Sequence, residues 1–300
     1  MTVELGGKDA SIVLDDPTGR AVGDAEMKRI TSIIMRGVFQ SAGQNCIGIE
    51  RVIAMPKAYD RLLEMLGPRI QALKVGNDLV EENIDVGAMV SPASFERLEG
   101  LIRDAEKHGA KLIAGGRRVQ HKLFPKGHYF QPTLLVDVTP EMRIAQEELF
   151  APVCVVMRAA SVDDAIHMAN STAYGLGSGV FGSTTSTAAR IALEKVIKEL
   201  KAGMVAVNDF AAFYAVQLPF GGVKGSGYGR FAGEEGLRAL CNTKAVCRDR
   251  WLSIIKTTIP GRLDYPMRAT AWDMGKGVVE VGYGDDWQRR IRGIRRMIGV

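Results

Sequence analysis

The chain has 300 residues, 46% of them hydrophobic and 24% charged, with a formal net charge of +5. A chain of this size can bury about 75% of the surface its unfolded form exposes, which excludes intrinsic disorder, a collagen-like repeat and a small disulfide scaffold. The charge is uneven: residues 251–300 hold nine Lys/Arg against five Asp/Glu, and also all three tryptophans, so a nearly neutral body is followed by a distinct basic tail.

The elements expected along the body alternate between strands and helices. Short apolar runs predict strands at 11–14, 51–54, 133–136, 153–157, 179–181 and 204–207. Between them, amphipathic spacing predicts helices at 26–40, 95–108, 162–170 and 187–200. Ser161 with Asp164 three residues on reads as a capping box, and Gly109 as a helix stop. This alternation predicts an α/β fold, a largely parallel sheet flanked by helices. The stretch 219–230 has five glycines in twelve residues, so it is a loop where backbone turns tightly or approaches something closely. It has neither the Gly-x-Gly-x-x-Gly nor the Walker pattern of a phosphate loop.

No apolar run nears the roughly 18–20 residues of a bilayer span, and the first residues lack the basic start and apolar core of a secretory signal. Cys46, Cys154, Cys241 and Cys247 make neither a disulfide framework nor a metal-ligand spacing, so no metal is expected. The compartment expected is reducing and intracellular: cytoplasmic, or on a cytosolic or endomembrane surface. Cys154, inside an apolar strand, reads as a buried core cysteine, and Cys241 and Cys247 are expected to be buried as well.

Cys46 differs. It sits in Ser41-Ala42-Gly43-Gln44-Asn45-Cys46-Ile47-Gly48, among small and polar neighbours between a helix and a strand. A nucleophilic thiol needs such partial access, together with groups that favour thiolate; the plainer alternative is a buried apolar cysteine. Glu4, followed by Leu5-Gly6-Gly7-Lys8, can be held in a sharp turn facing a cavity, as a general base requires, or can be a surface glutamate. Glu147 and Glu148 precede Leu149-Phe150-Ala151-Pro152-Val153, where the plain alternative is solvated charge.

Taken together, Val3-Glu4-Leu5-Gly6-Gly7-Lys8, Gly43-Gln44-Asn45-Cys46, Glu147-Glu148-Leu149-Phe150-Ala151-Pro152-Val153 and Pro219-Phe220-Gly221-Gly222-Val223-Lys224-Gly225-Ser226-Gly227 resemble, in order and spacing, the aldehyde dehydrogenase superfamily. Asn208-Asp209-Phe210, the run 229–239 and the tail are most similar to the plant family-22 and fungal membrane-associated branch. The resemblance implies the aldehyde dehydrogenase catalytic domain over residues 1–225, a docking helix and an oligomerisation strand over 226–250, and a basic C-terminal extension over 251–300. Within the second segment, the helix is expected over 226–242 and the pairing strand over 243–250. Most of the Rossmann-type cofactor domain is expected to precede the first motif and to be missing from this chain.

By the same resemblance, Cys46 attacks an aldehyde, and Glu4 activates the water that hydrolyses the resulting thioester. Glu148, Phe150 and Leu5 face the cofactor, NAD or NADP. Phe210, Phe213 and Tyr214 line the substrate entrance and imply an apolar aldehyde tail. Ala151 stands where the family usually has glycine. Two other readings stay open: a truncated, catalytically incompetent fragment that binds full-length relatives, and a chain that retains only esterase-type chemistry. Partners implied are a small-molecule aldehyde and a second copy or longer relative paired through 243–250. In the tail, Trp287, Ile291, Ile294 and Ile298 recur on one helical face amid five arginines. That pattern fits either a helix packed on the body or one lying on an anionic membrane surface through 285–300. Nucleic acid is set aside, because no recognisable nucleic-acid-binding fold accompanies the arginines.

Overall fold

The computed structural model describes residues 1–19, 22–210, 217–247 and 258–299. The chain divides after Asn242 into two compact units. In the first, seven strands form one sheet. Their spatial order is β10 (Met204–Val207), β9 (Gly177–Phe181), β2 (Ala10–Val13), β3 (Arg51–Ala54), β8 (Val153–Arg158), β7 (Thr133–Val136) and β4 (Lys111–Ala114). Every pairing is parallel except that of β4 with β7. The central strands are mostly apolar and buried on both faces except at Arg158, as a parallel sheet covered by helices on both sides requires. Edge strand β4 alternates exposed and half-buried residues instead, and the short strands β5 (Arg118–Val119) and β6 (Tyr129–Phe130) form a separate antiparallel pair.

Helices α1 (Asp24–Phe39) and α2 (Pro56–Gln71) pack together, as do α5 (Val162–Asn170) and α6 (Thr187–Glu199). Pro56 opens α2 at its first turn, where its missing N–H leaves no bond unmade. Helices α3 (Phe95–Lys107) and α4 (Arg143–Gln146) flank the other end of the sheet. Ser161 caps α5 through a 3.1 Å bond from Asp164 N–H, but the Asp164 carboxylate reaches past the cap to Ala160 N–H at 2.7 Å. Gly109 takes a φ of +104°, as a helix stop does.

The glycine-rich stretch clasps backbone to backbone. β11 (Gly227–Tyr228) pairs antiparallel with β1 (Val3–Glu4), and a side chain on Gly227 would fall 2.0 Å from the Val3 carbonyl oxygen. The helix expected over 226–242 is therefore shorter: α7 spans Gly233–Ala239 only, because Gly227, Gly229 and Ala232 carry positive φ. Residues 243–247 lie in no strand, and 248–250 lie outside the described residues. Cys154 is buried as expected, but Cys241 and Cys247 are exposed, since they follow α7 beyond the core.

Among the described residues of the second unit are two helices, α8 (Ala271–Tyr283) and α9 (Trp287–Ile298). Asp286 caps α9 by accepting a 2.7 Å bond from Arg289 N–H. Arg262 reaches the carbonyl oxygens of Arg296, Met297 and Ile298, placing a cation at the negative end of the helix. Helix α9 meets α8 through glycine rather than isoleucine: a β-carbon on Gly277 would lie 2.7 Å from the Gly293 carbonyl oxygen. Trp287, Ile291, Ile294 and Ile298 stay exposed. No helix among the described residues is long and apolar enough to cross a membrane.

Candidate active site

Three segments feed the N-terminal ends of adjacent parallel strands and so meet at one end of those strands. Residues 4–9 lead into β2, residues 44–50 into β3, and residues 147–152 into β8. The first carries Glu4, the second Cys46, and the third Glu148 and Phe150.

Cys46 is half-buried, in the turn after α1. Burial pushes its thiol above the ordinary range, and the negative charges of Glu4 and Asp9 push it the same way. The backbone N–H groups of Ile47 and of Cys46 itself act in the opposite direction, favouring the thiolate. Asn45 braces this turn by accepting a bond from Ile47 N–H at 3.2 Å and, through its carbonyl, one from Gly48 N–H at 2.9 Å. At neutral pH the resting group is therefore a thiol, and it needs a base to become a nucleophile.

Glu4 is exposed. Its carboxylate accepts a 2.8 Å bond from Gly6 N–H, and its strand is held by Gly227 and by Leu5 N–H bonding to the Ser226 carbonyl at 2.9 Å. Leu5 is exposed beside it. Glu148 is half-buried and accepts a 2.9 Å bond from Gly7 N–H. Burial raises its carboxyl, and the Gly7 N–H opposes that rise. Phe150 carries a φ of +52° and leaves its ring partly exposed. Phe210 packs near Gly37 of α1, 3.2 Å from where a side chain there would begin. Phe213 and Tyr214 lie outside the described residues.

The residues that tie these segments together were not singled out in the sequence. Lys8 and Glu50 form a buried ion pair at 2.7 Å. Burial pulls the Lys8 ammonium below its ordinary range against the pull of Glu50. The Glu50 carboxylate also accepts the N–H groups of Leu149 at 2.9 Å and of Phe150 at 2.8 Å. Arg51, equally buried, donates to the carbonyl oxygens of Lys8, Met168 and Ala169, and burial lowers its guanidinium to about 10. Asp9 accepts a 3.0 Å bond from Gly177 N–H, while its second oxygen is buried with no hydrogen-bond partner. Burial raises this carboxyl well above the carboxylate range. One signal was available: Glu50-Arg51 is an acid–base pair inside the apolar run from Ile47 to Ala54, where a solvated charge has no place.

A cavity of about 500 Å³ lies at the opposite, C-terminal end of the strands, lined by Leu14, Glu26, Arg29, Phe181 and Asn208 among others, and Cys46 is not part of it. The chemistry-bearing groups are at the N-terminal end. Among the described residues, no group of three His, Cys, Asp or Glu is placed to hold a metal.

The family model described as the aldehyde dehydrogenase family matches residues 1–246. This chain belongs to the aldehyde dehydrogenase family. It is 50% identical over 295 residues to an aldehyde dehydrogenase-like protein of Saccharomyces cerevisiae, covering 96% of this chain and 44% of that protein. It is 35% identical to an NADP(+) succinate-semialdehyde dehydrogenase of Mycobacterium ulcerans, covering 81% of this chain and 49% of that one. Among solved structures, lactaldehyde dehydrogenase from Escherichia coli matches with a TM-score of 0.71 at 34% identity, over 82% of this chain and 48% of that chain. A betaine aldehyde dehydrogenase from Staphylococcus aureus, in complex with NAD+, matches with a TM-score of 0.70 at 32% identity, over 79% and 45%. The chain thus spans about half the length of the relatives it matches.

Proposed function

We propose that Cys46 and Glu4 are the nucleophile and the general base of an aldehyde-oxidising site, and that Leu5, Glu148 and Phe150 face a nicotinamide dinucleotide, NAD or NADP. One observation carries this reading. Cys46 is half-buried in a turn leading into β3, at the same end of the strands as the Glu4 carboxylate, which Gly6 N–H and the pairing of β1 with β11 hold in place.

On this reading, Glu4 or solvent base removes the thiol proton. The sulfur lone pair then forms a bond to the aldehyde carbon, and the carbonyl electron pair moves to oxygen. Backbone N–H groups of the turn that carries Cys46 are suited to receive that developing negative charge. The thioester left on Cys46 after oxidation is cleared by water. Glu4 takes a proton from the water as its oxygen bonds the acyl carbon, and the C–S bond breaks to return the cysteine.

The cofactor side fits its expected occupant. Glu148 spends one oxygen on Gly7, and the Phe150 ring beside it is partly exposed, so a carboxylate acceptor and a flat aromatic face are offered together. A carboxylate suits ribose hydroxyls, and an aromatic face suits a planar ring. The nicotinamide, when bound, supplies the hydride acceptor. Phe210 gives the entrance an apolar member, which favours an aldehyde with an apolar tail.

The test is aldehyde-dependent formation of NADH or NADPH, followed by absorbance, with Cys46→Ser alongside. Reduction that vanishes in the variant supports the reading. Reduction that survives it removes Cys46 from the mechanism.

A further inference from the structure

Glu50 has no part in the chemistry above, yet it touches every segment that does. It stands four residues after Cys46, and its partner Lys8 stands four residues after Glu4. Its carboxylate receives Lys8 Nζ at 2.7 Å and Leu149 N–H at 2.9 Å, both buried, and the part-buried Phe150 N–H at 2.8 Å. The strand carrying Glu4, the loop carrying Cys46 and the turn carrying Glu148 and Phe150 thus share one anion as a common fixed point.

A buried ion pair is a poor source of net stability, because desolvating two charges offsets most of their attraction. Hydrophobic residues of similar volume would serve a core at least as well. A carboxylate can do something they cannot: accept two successive backbone N–H groups in a turn whose second residue has a positive φ. Phe150 holds that left-handed backbone at φ +52°, a strained state for an aromatic residue that persists only where its surroundings over-determine it. Glu50 provides that determination, and Lys8 anchors Glu50. The adjacent Glu148 carboxylate is then delivered to Gly7 N–H at 2.9 Å, in contact with Gly6.

We propose that Glu50, locked by Lys8, is a positioning residue that sets the Glu148–Phe150 wall relative to the Cys46 thiol. The proposal rests on the reading of that wall and thiol as an active site, but its test requires no turnover.

The experiment uses the full chain and two readouts: hydrogen exchange at the Leu149 and Phe150 amides, and the pH profile of Cys46 alkylation by iodoacetamide, read by mass spectrometry of the Cys46 peptide. In Glu50→Gln, the two amides are expected to exchange at least tenfold faster while ladder amides of β3 and β8 keep their protection. The loosened wall admits water to the sulfur, so alkylation at pH 8 is expected to quicken several-fold. Glu50→Asp should restore part of both effects. Lys8→Met/Glu50→Leu leaves no stranded charge and should retain the fold while showing the same two changes. Unchanged amide exchange in Glu50→Gln overturns the proposal. Faster exchange with an unaltered Cys46 profile also overturns it, because Glu50 would then anchor the turn without governing the thiol. Aldehyde-dependent nicotinamide reduction by the same preparations reports on the active-site reading separately.

Discussion

Glu148 lies so close to Gly6 that a β-carbon built on the glycine would fall 2.5 Å from a carboxylate oxygen. Gly6 also has a φ of +84°, which a residue with a β-carbon adopts at a penalty. Gly6→Ala is therefore expected to destabilise the chain, with a backbone contribution of roughly 1–2 kcal/mol, and to push Glu148 off Gly7 N–H. Denaturant midpoints measure the first effect. Weaker protection of the Gly7 amide from hydrogen exchange measures the second. An unchanged midpoint with full Gly7 protection would show that the contact has room to relax.

The four cysteines should separate by environment. Cys241 and Cys247 are exposed, Cys154 is fully buried with its thiol pushed up to about 12, and Cys46 lies between them. Native-state labelling with iodoacetamide at neutral pH is expected to modify Cys241 and Cys247 first and to leave Cys154 untouched until the chain unfolds. Cys46 should be slow at neutral pH, and its rate should climb above the ordinary thiol range, because burial and the charges of Glu4 and Asp9 delay its ionisation. Glu4→Gln removes one of those charges and should move the rise to lower pH.

Asp9 makes stability fall with pH. Its folded carboxyl titrates well above the unfolded value, so between the two values the native state holds the extra proton. Stability then declines as pH rises from about 4 through the folded value of Asp9. Asp9→Asn keeps an acceptor for Gly177 N–H without the buried charge. Its advantage over the unsubstituted chain, measured by urea midpoints, should be smallest in acid and widen towards neutral pH. A difference that stays constant with pH would mean that Asp9 is not the titrating group.

Much of this was legible in the residues. Strands β3, β7 and β10 fall where the runs at 51–54, 133–136 and 204–207 place them, because strands of a helix-covered parallel sheet are built mainly from apolar residues. Helix α5 matches 162–170 through its Ser161 cap. Cys46 and Glu4 stood out through their glycine-flanked settings. Lys8 and Glu50 did not, since a single Lys or Glu is by default a surface residue, and only three-dimensional packing shows the two meeting across the segments they precede. After Gly225 the helix over 226–242 is implied by the resemblance alone, against the glycine content that makes 219–230 a loop; β11 pairs Gly227–Tyr228 with β1, and only seven residues are helical in α7. In the tail, the isoleucine stripe marks α9 correctly while concealing that Gly277 and Gly293 make the close helix contact.

The central claim is that Cys46 is the covalent nucleophile, and its most direct test needs no cofactor. Incubation of the chain with p-nitrophenyl acetate, followed by peptide mass spectrometry, should place an acetyl group on Cys46. That adduct should be absent in Cys46→Ser and should accumulate in Glu4→Gln, where water is no longer activated to clear it. Acetylation confined to other residues, or p-nitrophenolate release that continues undiminished in Cys46→Ser, would contradict the account.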